Sequence, residues 1–540
     1  MIHKGMFVIN GAKILGRVLS ILLVLELILL SSLYIRRNTG YGIDDSFITY
    51  RYASNLMEGY GLTFNVGEKH YGSTAMGYAI ILGGISFSVK TILQLFGIPL
   101  TPQEIIPFVS TMLSGLSLFL IPIVWIRIFD IDKYGLLSIV NIGIFAIVLF
   151  TARFFNNFCG HETYFFIVSL LLGSFLLFFK RRILLSAIVM AVCTTIRPDA
   201  FLFWGILCVA LSAYYVMDKN NILDNVIKNI FNYIIFYMVL LVPWILFTWL
   251  YFGNLIPETM IAKKAQVFIG YWPTFTFNDA IFKMLSGLPR PIIFLIIIGI
   301  PFMFYAMFKY SKLPAYTKTI LFYSITWLAF AFFSIFFYST FKVTFSEWYI
   351  IPAYFGMICC ALSIIMQSIS YLNLSINKLT VPKGAFVFVI IFGLLIYGTF
   401  DKKELAAWIQ SNNSNTHIYS YNPLIKYIKN NEPNGTSIAT AEPGALGFAL
   451  GPKFHVVDEL GLASPEVAKE IINHNFDYPF RRWNPKYVIV SWEGIYSPHT
   501  RDWFKGKYVF LREFKHEYWE TRIGRGVHLY ILREYNQKLS

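Results

Sequence analysis

Long apolar runs separated by short polar connectors dominate the first 400 residues of the chain. A bilayer crossing needs about 20 apolar residues in a helix. Residues 14–35 form the first such run, and because no small-residue cleavage pattern follows, a retained helix is predicted rather than a removed signal peptide. In all, about eleven membrane-spanning helices are predicted, at about residues 14–35, 103–127, 135–152, 163–179, 183–196, 200–217, 229–252, 291–308, 319–338, 349–370 and 384–400.

The pattern changes after residue 400. Helix-like pieces such as "NPLIKYIKNN" and "SPEVAKEIINH" alternate with strand-like pieces such as "KYVIVSW", "KYVFLREF" and "VHLYILRE". Helical and strand periodicities mixed in about 140 residues indicate an independent α/β domain. We therefore predict a membrane domain over residues 1–400 and a soluble α/β domain over 401–540.

The basic residues of the connectors predict the orientation. The run 76–97 is interrupted by Ser88 and Lys90, and if it crossed the bilayer the triplet at 180–182 would face outward. The positive-inside rule favours a run 76–97 that lies in the interface or re-enters the membrane. The N-terminus is then cytoplasmic, while a first outer loop (residues 36–102) and the α/β domain are extracytoplasmic.

Composition supports the membrane class and narrows the partners. The chain is 56% hydrophobic and only 14% charged, a balance that excludes an ordinary soluble protein. The net charge of +15 resides mainly in the membrane half, where it suits lipids and phosphate groups, and no nucleic-acid partner is predicted. There is no Walker-type loop, no GxGxxG after a strand, and no Cys or His spacing typical of a metal site.

Asp44 and Asp45 are adjacent just beyond the first apolar run. One of them is expected to cap the helix that follows, because a carboxylate accepts backbone N–H groups and suits the helix dipole. Adjacent side chains point in different directions, so the second carboxylate is available as a general base or as a cation ligand. The pair could hold Mg²⁺ through oxygen ligands.

Other polar and aromatic residues gather on the same outward face. Arg197 either pairs with Asp199 or binds phosphate, and Lys263 meets a lipid headgroup or a substrate phosphate. His161 and Glu162 either cap a helix or bind a polar substrate, and aromatic side chains there belong to the membrane-interface belt or stack on a sugar. The residues predicted to contact substrate are Arg51, His161, Glu162, Glu258, Trp348 and Tyr349.

The motif order resembles that of the bacterial GT-C glycosyltransferases, in particular the group that contains the mycobacterial terminal β-(1→2) arabinofuranosyltransferase. The resemblance covers about residues 40–470. Its most specific part is the first block. The motifs are "DDSFITYRYASNLMEGYGLTFNVGEKHYGST", "GHET", "IRPD", "YFGNLIPETMIAKKA", "FSEWYIIP" and "AEPGALGFALGPKFHVVDELGLASPE".

The resemblance implies a reaction. Members transfer a sugar from a polyprenyl-phosphate donor to a hydroxyl of a cell-envelope glycan or glycolipid, outside the cytoplasmic membrane and with inversion. By this likeness Asp44 is the general base and Asp45 the helix cap, while Arg197 and Lys263 match positions that steady the departing phosphate. Glu162 matches a motif position without an assigned role.

Two other functions remain open. A lipid-linked sugar transporter would need charged residues near mid-membrane and access from both sides, whereas the charges here cluster outside. A non-catalytic subunit for envelope assembly would use only the outer domain, and the intact Asp44–Asp45 pair weighs against it. The sequence thus predicts a polytopic α-helical GT-C-type membrane protein with an outer α/β domain.

Overall fold

The computed structural model describes most of the chain in eight segments. These are residues 21–38, 42–128, 159–217, 223–270, 315–341, 348–360, 417–491 and 497–536, with a few isolated positions between them. The predicted spans 135–152 and 384–400, most of 291–308, and the domain boundary at residue 400 lie outside the described residues. Residues 14–20 and 361–370 of two further spans also lie outside the described residues, and the described parts of all the remaining spans coincide with helices.

The first domain is helical. Five of its described helices, α3, α4, α7, α8 and α10, are long and apolar enough to cross a membrane, and α5, α6 and α11 are shorter apolar helices. The protein is thus a multi-pass membrane protein. The helices are α1 (residues 21–38), α2 (Asp44–Met57), α3 (Met76–Leu95), α4 (Pro102–Ile128), α5 (Thr163–Phe178), α6 (Ile183–Ile196), α7 (Ala200–Met217), α8 (Leu223–Phe252), α9 (Thr259–Phe268), α10 (Ala315–Phe341) and α11 (Trp348–Cys360).

Residues 76–97 contain one uninterrupted helix, α3, instead of a segment that turns back on itself. Residues 76–95 contain no chain reversal, whereas the predicted position of this run in the interface, and the orientation that follows from it, stay predictions. The start of α3 packs closely on the end of α6, where a side chain at Gly77 would collide with Thr195. This contact brings the part of the first outer loop at the start of α3 next to Arg197, which directly follows α6.

The short helix α2 lies at the centre of the molecule. It packs against α3 and α4 of the membrane domain on one side and, on the other, against the C-terminal α/β domain, which we call the outer domain after its predicted location. Most of its residues are buried, including polar ones such as Thr49 and Asn55. A polar helix in such surroundings must find hydrogen-bond partners for its side chains, so its position is determined by specific contacts.

The outer domain contains a five-stranded mixed sheet with the order β2-β1-β3-β5-β4. Strands β1 (Ser437–Thr440), β2 (His455–Asp458) and β3 (Tyr487–Val490) are parallel, while β4 (Tyr508–Phe514) and β5 (Val527–Leu532) are antiparallel. The helices are α12 (His417–Ser420), α13 (Asn422–Asn431), α14 (Pro443–Leu450), α15 (Pro465–Ile472), α16 (Tyr478–Trp483), α17 (Asp502–Lys507), α18 (Glu517–Ile523) and α19 (Arg533–Asn536), with a 3₁₀ turn at Pro498–Thr500.

The predicted α/β character of this domain is confirmed. The three strand-like pieces form β3, β4 and β5, and the two helix-like pieces form α13 and α15. The domain is docked on the membrane domain through two helix pairs, α14 on α2 and α15 on α9. Both membrane-domain helices of these pairs carry predicted site residues.

Candidate active site

Asp44 is bound to the outer domain. Its two carboxylate oxygens accept hydrogen bonds from the backbone N–H groups of Gly444 (3.2 Å) and Ala445 (2.7 Å), in the first turn of α14. Free N–H groups at a helix start favour a negative charge. Gly444 permits the approach, because a Cβ there would lie 2.0 Å from the Asp44 carbonyl oxygen. Asp44 thus joins α2 to α14.

Asp45 has a different environment. Its Oδ2 atom lies 2.7 Å from Lys263 Nζ on α9, and its side chain keeps 25% exposure against 10% for Lys263. The predicted helix cap by Asp45 is wrong, since Ile43 occupies the N-cap position and no side chain caps the helix. Asp44 and Asp45 both lie in the first turn of α2, where adjacent residues diverge by about 100°.

A polar recess surrounds the Asp45–Lys263 pair, and we call it the reaction recess. Its walls come from α2, the loop before α3, the loop before α5, α9, the start of α11 and one outer-domain loop. The lining residues are Asp45, Ile48, Thr49, Gly72, Ser73, Thr74, Ala75, His161, Glu162, Thr259, Lys263, Trp348, Tyr349 and Leu462. The structure therefore brings together predicted site residues from four parts of the sequence, namely Asp45, His161 and Glu162, Lys263, and Trp348 and Tyr349.

An apolar cavity of about 610 Å³ adjoins the reaction recess. The two spaces share Thr74, Thr259, Lys263 and Tyr349. Side chains of α7 and α10 form the apolar walls, namely Phe201, Leu202, Ile206, Val209, Ala329, Phe333, Phe337 and Phe341, and Arg197 and Lys263 lie among the polar residues of the lining. A cavity of this kind can hold a hydrocarbon chain that ends in an anionic group.

Lys263 is held at the junction of these two spaces. Its ammonium lies 5.1 Å from the ring centres of both Trp348 and Tyr349, close enough for cation–π attraction. Burial by itself lowers the pKa of Lys263, but the neighbouring Asp45 carboxylate more than offsets this, so the pKa is raised above its usual range. Lys263 is therefore a permanent cation.

Arg197 forms an ion pair with Asp199, which was one of the two alternatives predicted for it. Its guanidinium donates two hydrogen bonds to Asp199, of 3.1 and 2.9 Å, and a third to the Trp348 carbonyl oxygen. Tyr338 closes the group through its hydroxyl, which donates to Asp199. Arg197 also lines the apolar cavity. It thus fixes the start of α11 and adds positive potential near Lys263.

Glu162 and His161 are buried residues in the lining of the reaction recess. His161 Nδ1 lies 3.2 Å from Glu162 Oε2, and Glu162 Oε1 lies 3.9 Å from Arg197. Burial raises the pKa of Glu162 to about 7, although the Arg197 charge acts in the opposite direction. Burial lowers the pKa of His161, which is therefore neutral at physiological pH. Glu162 occupies the N-cap position of α5 without a side-chain capping bond.

Two predicted substrate-binding residues serve other contacts. Arg51 is fully buried and donates to the carbonyl oxygens of Phe64, Gly447 and Phe454, which joins the first outer loop to the outer domain. Glu258 accepts hydrogen bonds from the Tyr71 backbone N–H and from the Asn254 side chain. Neither Arg51 nor Glu258 lines the reaction recess or the apolar cavity.

The Asp44–Asp45 pair does not fit a shared Mg²⁺ site. Asp44 uses both oxygens for backbone N–H groups of α14, and Asp45 faces an ammonium group. Within the described segments, no group of three or more His, Cys, Asp or Glu side chains is placed to hold a metal ion. A divalent cation usually takes several converging oxygen ligands, and these two carboxylates do not converge.

An outer-domain loop that contributes to the reaction recess was not predicted. Asp458, at the end of β2, accepts backbone N–H groups from Leu460, Gly461 and Ala463 at 2.6–3.1 Å. This fixes the loop so that Leu462 lines the recess. Only the motif "VVDELGLASPE" hinted at a role here. Tyr338 gave no signal, since it is one of many aromatic residues in the segment "FAFFSIFFYSTF" of α10.

Comparisons with solved structures identify the architecture. The oligosaccharyltransferase of Archaeoglobus fulgidus, solved with a tethered acceptor peptide, is similar with a TM-score of 0.52 and 12% identity over 87% of this chain and 69% of that chain. The archaeal oligosaccharyltransferase AglB from the same organism, in complex with an inhibitory peptide and a dolichol-phosphate, is similar with a TM-score of 0.52 and 10% identity over 86% of this chain and 69% of that chain. ArnT from Cupriavidus metallidurans bound to undecaprenyl phosphate gives 0.51 and 13% over 95% and 97%. The fold is of the GT-C type.

The predicted fold class is thus confirmed. Sequence identities this low establish a shared fold and nothing about activity. A family model described as a domain of unknown function, DUF8728, matches residues 407–530, which correspond to the outer domain of this GT-C-type protein. No curated protein matches the chain. The resemblance to the arabinofuranosyltransferase group stays a prediction.

Proposed function

We propose that the chain is an integral-membrane glycosyltransferase. It moves a sugar from a polyprenyl-phosphate donor to a hydroxyl of a cell-envelope glycan or glycolipid, on the outer face of the cytoplasmic membrane. One observation carries the proposal: an apolar cavity and a polar recess meet at Lys263. A lipid-linked sugar has the same division, with an anionic phosphate between its hydrocarbon chain and its sugar.

The arrangement of the apolar cavity and the reaction recess orients the donor. The prenyl chain occupies the apolar cavity between α7 and α10, and the phosphate lies against Lys263 with the Arg197 charge nearby. The sugar then projects into the reaction recess, where Trp348 and Tyr349 offer aromatic faces. Two cations, Lys263 paired with Asp45 and Arg197 paired with Asp199, suit a phosphate that gains charge as it leaves.

Asp45 is the general base in this proposal, in place of Asp44. It lines the reaction recess and is partly exposed, whereas Asp44 is occupied by the start of α14. The acceptor hydroxyl gives its proton to the Asp45 carboxylate while its oxygen forms a bond to the anomeric carbon. The bond between that carbon and the phosphate oxygen breaks, and the polyprenyl phosphate leaves beside Lys263.

The Asp45–Lys263 ion pair couples donor binding to this chemistry. Without a donor, Lys263 is the nearest partner of the Asp45 carboxylate. A bound donor phosphate forms a second ion pair with the Lys263 ammonium. This weakens the interaction between Lys263 and Asp45 and makes the Asp45 carboxylate available to an acceptor hydroxyl. The two solved neighbours with lipid phosphates, AglB with dolichol-phosphate and ArnT with undecaprenyl phosphate, support a donor of this class.

The proposal is tested with purified protein in detergent, polyprenyl-phosphate sugars and envelope glycans from the host. We expect one sugar residue to be added to the glycan, with release of polyprenyl phosphate, and the corresponding residue to be missing from the surface glycans of a deletion strain. Movement of the lipid-linked sugar across liposomes without transfer to any acceptor would instead establish a transporter.

A further inference from the structure

A second recess lies between the outer domain and α9, and we call it the outer recess. Gln266 and Ile269 of α9 form one side. The other side belongs to the outer domain and is formed by Ala441, Glu459, Leu460, Ile471, Phe476, Phe480, Ile489, Val490, Ser491, Ser497, Pro498, Arg501 and Trp503. None of these residues lines the reaction recess or the apolar cavity.

The outer recess lies at the carboxyl edge of the parallel strands. Ala441 follows β1, Glu459 follows β2, and Ser491 follows β3. The chain leaves β1 toward β2 on one side of the sheet and leaves β3 toward β4 and β5 on the other. In open α/β sheets, ligands bind where connections diverge in this way, because the loops separate and leave a crevice.

Two buried polar groups in the outer recess have no hydrogen-bond partner among the described residues. They are the Nε2 atom of Gln266, whose residue is only 4% exposed, and the Oε1 atom of Glu459. An unpaired buried donor or acceptor costs about 1–3 kcal/mol. Both side chains line the same space, so one ligand with donor and acceptor groups can satisfy both of them.

The polar lining, which also includes Ser491, Ser497 and Arg501, favours a hydroxyl-bearing ligand. Burial, with a smaller effect from Asp458, raises the pKa of Glu459 to about 8, so at neutral pH this side chain is a neutral carboxylic acid. A neutral acid and an amide both donate and accept hydrogen bonds, as sugar hydroxyls do. Trp503 and Phe476 add aromatic surface, on which the apolar face of a sugar ring packs.

The outer recess is connected to the reaction recess by two shared elements. Gln266 follows Lys263 by three residues on α9, less than one helical turn. Leu460 lines the outer recess and Leu462 the reaction recess, and both belong to the loop that Asp458 holds in place. A glycan in the outer recess therefore lies a short distance from Asp45.

We propose that the outer recess binds a sugar residue of the acceptor glycan, behind the residue whose hydroxyl is glycosylated. Gln266 and Glu459 bind its hydroxyl groups, and Trp503 packs against its ring. This inference rests on the proposed transferase function for its catalytic meaning, but saccharide binding at this place can be measured without any transfer. The outer domain then contributes to acceptor choice as well as to the reaction recess.

The test uses the full-length protein in detergent and neutral di- and trisaccharides released from the host's own envelope glycans. Saturation-transfer NMR measures binding to wild type, Gln266→Leu, Glu459→Leu and Glu459→Gln. We expect the Kd to rise about tenfold or more in the two Leu variants, since each loses a buried hydrogen bond. Glu459→Gln keeps a neutral donor and acceptor and should bind like wild type, as should the exposed control Gln94→Leu.

Transfer assays separate the two proposals. In the Leu variants the acceptor KM should rise while kcat and the donor KM stay unchanged. Undiminished saccharide binding in both variants, or no binding to wild type, would overturn the acceptor-subsite inference. Saccharide binding without transfer from any lipid-linked donor would overturn the transferase function alone. If a Leu variant does not fold, Trp503→Leu tests the same recess through its aromatic surface.

Discussion

Lys263 Nζ lies 2.7 Å from Asp45 Oδ2, although 218 residues separate the two in sequence. This ion pair stands where the apolar cavity opens into the reaction recess, and both of its members are predicted site residues. It joins the proposed general base to the proposed phosphate ligand by one hydrogen bond. The pair is therefore the part of the molecule on which the mechanistic predictions depend.

Replacing Lys263 with Gln should weaken both donor binding and transfer. The amide keeps hydrogen bonding but loses the positive charge that the departing phosphate needs. Removal of one such electrostatic stabiliser costs about 10²- to 10³-fold in kcat. The measurement is the transfer rate as a function of donor concentration. Lys264→Gln is the matched control, since Lys264 is exposed on the other side of α9 and should leave the rate unchanged.

Glu162 should make donor binding sensitive to pH. Its pKa is raised to about 7 by burial, so it is neutral below pH 7 and becomes a carboxylate as the pH rises above that value. The new negative charge reduces the positive potential of Arg197 and Lys263, so the donor KM should rise roughly fivefold between pH 6 and 8. Glu162→Gln mimics the neutral form and should give a flat profile. An equally steep rise in the variant would contradict this role.

Arg51 should be needed for the outer domain to remain docked. Replacement by Met leaves the buried carbonyl oxygens of Phe64, Gly447 and Phe454 without donors, at a cost of about 3 kcal/mol or more. We expect a lower melting temperature and faster proteolysis between the domains. Arg482→Met is the control, because Arg482 is exposed on α16 and its loss should change neither quantity.

Gly444 should tolerate no side chain. A Cβ at this position would overlap the Asp44 backbone, so Gly444→Ala should push α14 away from α2 and lower both thermal stability and transfer. Gly506→Ala is the matched control, because a Cβ there meets no atom within 4 Å. Wild-type melting and activity in Gly444→Ala would show that the contact between Asp44 and α14 is not required.

Much of the fold follows from local patterns in the sequence. The apolar runs coincide with helices wherever residues are described, and alternating strands such as "KYVFLREF" form β4. Strands β1 and β2 were missed because "SIAT" and "HVVD" are short segments, whereas the equally short β3 lies within the longer strand-like piece "KYVIVSW". The segment "PGALGFAL" was not predicted as a helix, yet as α14 it covers α2.

The different positions of Asp44 and Asp45 could not be read from the sequence. Both lie in the first turn of one helix, and they differ only in their tertiary contacts. The start of α14 donates to Asp44, and Lys263 of α9 donates to Asp45. The role of Arg51 was similarly ambiguous, because the sequence does not distinguish a buried structural arginine from one that binds substrate. Grouping the polar residues on one face nevertheless selected most of those that line the reaction recess.

The central claim is that Asp45, and not Asp44, removes the acceptor proton. The most direct test compares single-turnover transfer by Asp45→Asn and Asp44→Asn, with polyprenyl-phosphate binding and melting temperature measured in parallel. Asp45→Asn should lose about 10²- to 10⁴-fold in rate and still bind the lipid phosphate. Asp44→Asn should melt earlier while the folded fraction transfers sugar. Wild-type transfer by Asp45→Asn, with transfer abolished in a fully folded Asp44→Asn, would contradict the account.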